Sequence, residues 1–254
     1  GAKRGESGFS RSSNDVMVYI PEFYYKVVDD SNSSRRYFYI ADKATTGFEK
    51  HPGSGRYVGR YNTASGNSSI TGSLPYVNMT RANARSGARD KGSKWALYDY
   101  ASWCAVWLLY IVEYADWNSQ SVIGRGWTYN HSSPVTSGGT DSMVYHTGRA
   151  YGSDGSTAVQ YRHIENPWGN VYEWIDGINF SNETVYICTD ISKYADDTST
   201  NYTNIGTKAK LDGYIVKTGY SSTSPWSFYP TSIGGSGTTY ITDYSSYGSG
   251  WRVL

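Results

Sequence analysis

At 254 residues the chain can bury a sizeable core, as one large β-rich domain or as two small ones. A formal net charge of +1, only 18% charged residues and no basic stripe argue against a nucleic-acid binder, and no run of 18 apolar residues exists to insert in a membrane. The excess lies elsewhere, in 26 Tyr, 9 Trp and 28 Gly, residues that serve equally as strand formers and as contact surface.

The chain begins Gly1-Ala2-Lys3 without an initiating Met or an apolar leader, so a processed form or a piece of a longer protein is expected, with residues to about 15 a flexible lead-in. Met17 to Val28 (M-V-Y-I-P-E-F-Y-Y-K-V-V) predicts one or two strands broken at Pro21, and Tyr37 to Ala41 predicts another. Gly, Ser and Asn dominate from Gly47 to Gly72, with Tyr57 to Tyr61 as a strand-like island. Thr80 and Gly92 suit the start and stop of a helix over Arg81 to Lys91, whose Arg81, Arg85, Arg89 and Lys91 read as a solvated face. Leu97, Ala101, Cys104, Leu108, Ile111 and Ala115 recur at alternating four- and three-residue steps, predicting a second, buried helix with Asp99 as its N-cap. Cys104 falls on that apolar face as a free, inert thiol, and with Cys188 it sets no disulfide framework. Beyond Asp116 the chain reads as loop to about Gly155. Strands are then expected at Ala158–His163, Val171–Trp174, Thr184–Thr189 and Tyr214–Lys217, with Ile191–Gly206 a long polar surface loop. The fold class is α+β, in a single domain over 1–254.

Five segments occur in an order that carries a resemblance. They are Met17-Val18-Tyr19-Ile20-Pro21 with Phe23; Pro75-Tyr76-Val77-Asn78-Met79-Thr80; Leu97-Tyr98-Asp99-Tyr100-Ala101-Ser102-Trp103; Gly169-Asn170-Val171-Tyr172-Glu173-Trp174; and Gly250-Trp251-Arg252-Val253-Leu254. Together with Lys217-Thr218-Gly219-Tyr220-Ser221 they resemble the C-type lectin fold of the formylglycine-generating-enzyme type, with its M-V-x-I-P, L-P-T-E-A-E-W, G-N-V-W-E-W, R-G-G-S and G-F-R-V motifs. The resemblance implies two helices, mostly antiparallel strands and long loops. The hub Glu165 to Gly177 (E-N-P-W-G-N-V-Y-E-W-I-D-G) then reads as a strand-and-turn scaffold. Trp103, Trp168, Gly169, Asn170, Tyr172, Trp174 and Trp251 are its scaffold residues, with Trp168, Tyr172 and Trp174 bracing the core.

The enzymes of that family imply residues this chain does not have in place. Formylglycine generation implies a copper-binding cysteine pair between the R-G-G and G-F-R segments, and Tyr220 to Ser249 contains no Cys. The sulfoxide synthases imply a histidine triad with an H-x-x-x-H-x-E run, whereas His51, His131, His146 and His163 read as isolated residues. No E-P-N or W-N-D run supports calcium-dependent sugar binding, and Asp154-Gly155 and Asp196-Asp197 read as solvated acids. No catalytic residue, cofactor or metal is therefore assigned, and a metal-dependent oxidase or sulfoxide synthase is the alternative reading.

The C-terminal interval points to binding. Its Tyr, Ser and Gly content resembles an antibody-like contact surface, with Trp226, Phe228, Tyr229, Tyr244 and Tyr247 as aromatic anchors and Gly234-Gly235-Ser236-Gly237 as a flexible turn. It also resembles the variable proteins of diversity-generating retroelements, and M-V-x-I-P-x-F-Y-Y-K recurs in phage and prophage tail-associated proteins of gut bacteria. The resemblance implies a non-enzymatic ligand- or receptor-binding protein of a phage tail or bacterial surface, with a diversified region at about 217–254. Its ligand-binding residues would be Tyr220, Ser222, Ser224, Trp226, Ser227, Tyr229, Ile233, Asp243, Tyr244, Ser245, Ser246, Tyr247 and Ser249. The partner is a protein or cell-surface ligand, a homo-oligomer would add avidity, and a structural tail or scaffold protein is a further alternative.

Overall fold

The computed structural model describes residues 2–30, 32, 35–129, 131–238 and 243–250, and the backbone of 251–253. In chain order the elements are β1 (Met17–Ile20), β2 (Tyr24–Asp30), β3 (Arg35–Ala41), β4 (Glu49–Lys50), β5 (Arg56–Gly59), α1 (Arg81–Arg89), α2 (Tyr100–Tyr114) and α3 (Ser119–Val122). There follow β6 (Gly148–Arg149), β7 (Val159–Tyr161), β8 (Ile164–Glu165), β9 (Ile178–Ser181), β10 (Thr184–Ile187), β11 (Thr203–Thr207), β12 (Gly213–Thr218), β13 (Pro230–Ile233), β14 (Tyr244–Ser245) and β15 (Trp251–Val253). The architecture is mixed α+β, with antiparallel strands in small open sheets. The chain divides into two compact units. Unit 1 comprises Gly1–Tyr19, Tyr57–Thr80 and Ser119–Tyr172; unit 2 comprises Ile20–Arg56, Arg81–Asn118 and Glu173–Leu254.

Unit 1 contains Met17–Tyr19 of β1 and Tyr57–Gly59 of β5, which form a two-stranded ribbon, and the sheet β6–β7–β8. Its interior is built on Val16, Val58, Tyr61, Ala64, Val159 and Tyr161, all buried. The hairpin β7–β8 turns through Arg162 and His163, both left-handed at φ 48° and 69°. Backbone and side-chain bonds hold this uncommon pair: His163 N donates to His146 O at 2.8 Å, and Arg162 N to Thr147 Oγ1 at 3.0 Å. The buried Glu165 carboxylate accepts from Gly138 N (2.7 Å), Thr140 N (2.8 Å) and Thr140 Oγ1 (2.6 Å), which satisfies it without a cation.

Unit 2 holds three sheets, ordered β3–β2–β4, β11–β10–β9–β15 and β13–β12–β14. Helix α2 forms where the apolar period predicts. Asp99 caps it by accepting from Ser102 N at 2.8 Å, and Ala115 closes it in the left-handed conformation. Its Ala101, Cys104, Ala105, Leu108 and Ile111 are buried. Burial pushes the Cys104 thiol well above its ordinary pKa, so it is not a nucleophile at neutral pH.

Three sequence expectations are corrected. Of the α1 arginines expected to face solvent, Arg89 is exposed and two are not. Arg81 and Arg85 are buried, and α1 is fastened by charge instead of apolar contacts. Arg85 holds Asp176 bidentately, with Nε and Nη2 each 2.7 Å from a carboxylate oxygen, while Arg81 donates to Asp196, Asn179 and the carbonyl of Ile178. No strand forms at Val171–Trp174, because the backbone is committed to a turn: Val171 N donates to Gly169 O, and the ladder starts only at Ile178. The loop expected at Ile191–Gly206 contains a 3-10 turn at Ile191–Lys193 and most of β11, with Tyr194 and Ile205 buried. The polar composition hid that strand because Ile205 is its only buried position.

Candidate binding surface

The C-terminal region of unit 2 is organised by β12. It pairs with β13 (Ile215↔Ile233, Lys217↔Ser232, Thr218↔Pro230) and with β14 (Gly213↔Ser245, Tyr214↔Tyr244). Between β12 and β13 the segment Ser224–Tyr229 dives inward. The Trp226 ring lies 5.8 Å from those of both Tyr100 and His51, and Phe228 packs 5.9 Å from Phe38 and from Trp117. The Phe228 carbonyl accepts from Tyr100 Oη at 2.8 Å, and Tyr229 Oη donates to Ile205 O at 2.9 Å. Gly219 passes so close to Tyr229 that an added Cβ would fall 2.2 Å from the ring. The connection is a plug with its aromatics in the core.

This placement corrects the surface expected from sequence. Ser224, Trp226, Ser227, Tyr229 and Ser245 are buried and cannot contact a partner without unfolding the region; the anchor Phe228 is buried as well. Ser222, Tyr244, Ser246 and Ser249 are exposed, and Tyr220, Ile233, Asp243 and Tyr247 are half-buried. Residues 239–242 and 254 of the region, and the Trp251 side chain, lie outside the described residues. The sheet adds residues that the sequence reading missed. Tyr214 meets Tyr244 edge-on with ring centroids 5.3 Å apart, and Val216, Lys217 and Leu211 are exposed nearby in the chain. The signal was the strand Y-I-V-K itself, read only as a strand and not as a face.

Polar contacts fix the surroundings of this surface. Arg36 pairs with Asp29 at 2.8 Å, donates to Gly219 O at 2.9 Å and to Thr218 Oγ1 at 3.1 Å, and lies over the Tyr220 ring at 5.5 Å. Lys208 Nζ donates to Ser246 O at 2.6 Å above the Phe180 ring. Asp212 accepts from Tyr247 N.

The hub divides between the units, Glu165–Tyr172 in unit 1 and Glu173–Gly177 in unit 2. In unit 1, Gly169 is left-handed at φ 76°, and a Cβ there would meet Trp127 N at 2.9 Å. Asn170 N donates to Trp127 O, its side chain accepts from Val135 N at 2.8 Å, and Trp168 Nε1 donates to Gly124 O at 2.9 Å. Trp168 and Trp174 are half-buried, and Trp103 stacks on Tyr100 at 6.0 Å. Tyr172 does not brace a core: it is fully exposed, as the turn at Gly169-Asn170 turns it outward. No protein-family model matches the chain, and no curated protein matches it.

The acids and histidines are accounted for individually. Asp196 pairs with Arg81 and Arg85, and Asp154 with Arg149, instead of being freely solvated. Among the described residues no three of His, Cys, Asp and Glu converge as a metal site. His51 is fully buried against Phe23 and Tyr25, with Nδ1 accepting from Gly53 N at 3.1 Å. Burial and the Arg56 charge hold its pKa down at about 3, so it stays neutral. His146 and His163 are not isolated: their rings lie edge-on with centroids 5.9 Å apart.

Proposed function

We propose that the protein is a non-enzymatic ligand- or receptor-binding module that presents a Tyr/Ser surface near its C-terminus on a fixed scaffold. The reading includes the lectin-like fold of the formylglycine-generating-enzyme type and diversification of the C-terminal region, on a phage tail or bacterial surface. The observation that carries it is the division of labour within one short segment. Trp226, Phe228 and Tyr229 are sunk in the core, while Ser222, Tyr244 and Ser246 remain free of it. A contact surface fixed from beneath loses little side-chain freedom on binding, and tyrosine supplies area with only two rotatable torsions.

The test has two arms. Sequencing the flanking DNA is expected to reveal a near-copy of the segment encoding about Tyr220 to Leu254, differing at adenines and beside a reverse transcriptase; its absence refutes diversification. Fluorescently labelled protein is then applied to a panel of gut-bacterial cells. Wild type is expected to decorate a subset that the variant Y244A/S246D does not. Equal decoration by both, or none by either across the panel, refutes the surface assignment.

A further inference from the structure

Unit 1 carries a cluster of positive groups that the C-terminal surface does not use. The strained turn at Arg162-His163 brings the His163 ring edge-on to that of His146, at 5.9 Å between centroids. Beneath it lies Arg60, buried, with Nη1 donating to His163 O at 2.5 Å and Nη2 to Thr140 Oγ1 at 3.0 Å and Asp141 Oδ1 at 3.3 Å. Arg60 Nε is also buried and has no hydrogen-bond partner among the described residues, an orphan donor of the kind that calls for an acceptor. Arg11 joins the same carboxylate, 3.6 Å from Asp141.

The charge balance is positive. Asp141 is already shared among Arg11, Arg60, Tyr61 Oη and Thr71 Oγ1, and Glu165 is consumed by backbone N–H groups and Thr140. Burial and the charges of Arg60, Arg4, His146 and Arg11 all lower the pKa of His163. Arg11 and Arg60 thus share the one carboxylate of Asp141, the charge of Arg4 also acts on His163, and protonating His163 adds further positive charge. Such a field is relieved by an anion, and His146 is open to solvent to receive one.

We propose that His146 and His163, backed by Arg4, Arg11 and Arg60, form a protonation-linked site for a small tetrahedral oxyanion of the phosphate class. The imidazolium N–H groups donate to the oxyanion, so binding takes up protons and acidification tightens it. Linkage makes the two effects reciprocal: an anion that raises the apparent histidine pKa by about one unit binds about tenfold more tightly below that pKa than above it.

The test follows the imidazole proton resonances of the whole chain by NMR against pH, in inorganic phosphate, in glycerol 3-phosphate and in sodium chloride at equal ionic strength. Either phosphate arm is expected to raise the apparent pKa of His163 by about one unit over chloride. A larger shift with inorganic phosphate assigns the free ion, and a larger shift with the monoester assigns an esterified group. The variants H146Q, at an exposed position, and R4Q/R11Q, at an exposed and a half-buried one, spare the buried Arg60 and are each expected to cut the shift to less than half. No shift beyond the chloride control, or an undiminished shift in both variants, overturns the proposal.

Discussion

His51 offers a test of unit 2 through pH alone. Its imidazole is held at about 3 when folded, against roughly 6.5 in an unfolded chain. Between those values the unfolded chain binds the proton and the folded chain does not, so stability rises with pH and is lost as pH falls below about 6.5. At pH 7.5 the contribution to the pH dependence is close to zero; at pH 5 it reaches about 2 kcal/mol of destabilisation. The comparison variant is His51→Asn, whose amide oxygen can replace Nδ1 as acceptor for Gly53 N and does not titrate. Urea unfolding followed by tryptophan fluorescence at pH 7.5, 6.0 and 5.0 gives the two profiles. His51→Asn is expected to cost a constant amount at every pH, while wild type loses about 2 kcal/mol more than the variant between pH 7.5 and 5. His163, also lowered, titrates equally in both and cancels. Parallel profiles would refute the buried, neutral imidazole.

Three further outcomes are expected. Trp226→Ala removes a core side chain and should cost about 3–5 kcal/mol in thermal or urea unfolding, whereas Tyr244→Ala, at an exposed position, should stay within about 0.5 kcal/mol. Asp176→Asn removes the fully buried carboxylate that Arg85 grips bidentately, leaving only Asp196, which Arg85 shares with Arg81, and should cost about 3–5 kcal/mol, with little relief from added salt because the Arg85–Asp176 pair is buried. Gly169→Ala forces a Cβ against Trp127 N in a left-handed backbone and should destabilise unit 1 by more than about 1 kcal/mol, measured by loss of amide protection at Asn170.

What was legible in the sequence was whatever local periodicity controls. Helix α2 and its Asp99 cap followed from the apolar spacing, and the β1–β2 break followed from Pro21. What was not legible was set by partners distant in the chain. Arg81 and Arg85 look like a solvated stripe until Asp176 and Asp196, more than 90 positions later, arrive to neutralise them. Trp226 and Tyr229 have the composition of a contact loop, and only their pairing with Tyr100 and Ile205 puts them inside. Tyr172 erred the other way: it sits in a strongly strand-like run, but two left-handed residues at 169 and 170 decide its direction. The histidine pair at 146 and 163 had no sequence signature at all, because its spacing is made by a hairpin turn.

The cap of α2 has a consequence for the order in which unit 2 folds. One oxygen of Asp99 is satisfied locally by Ser102 N, so the helix can nucleate on its own first turn. The other oxygen accepts from Arg56 and from Tyr194, partners 43 and 95 residues away. Until both arrive, the carboxylate must keep its water, and the helix start cannot be buried without leaving a dry, half-bonded charge. Docking of the helix start therefore requires two long loop closures, one bringing Arg56 at the start of β5 and one bringing Tyr194 just after the 3-10 turn, that formation of the helix itself does not.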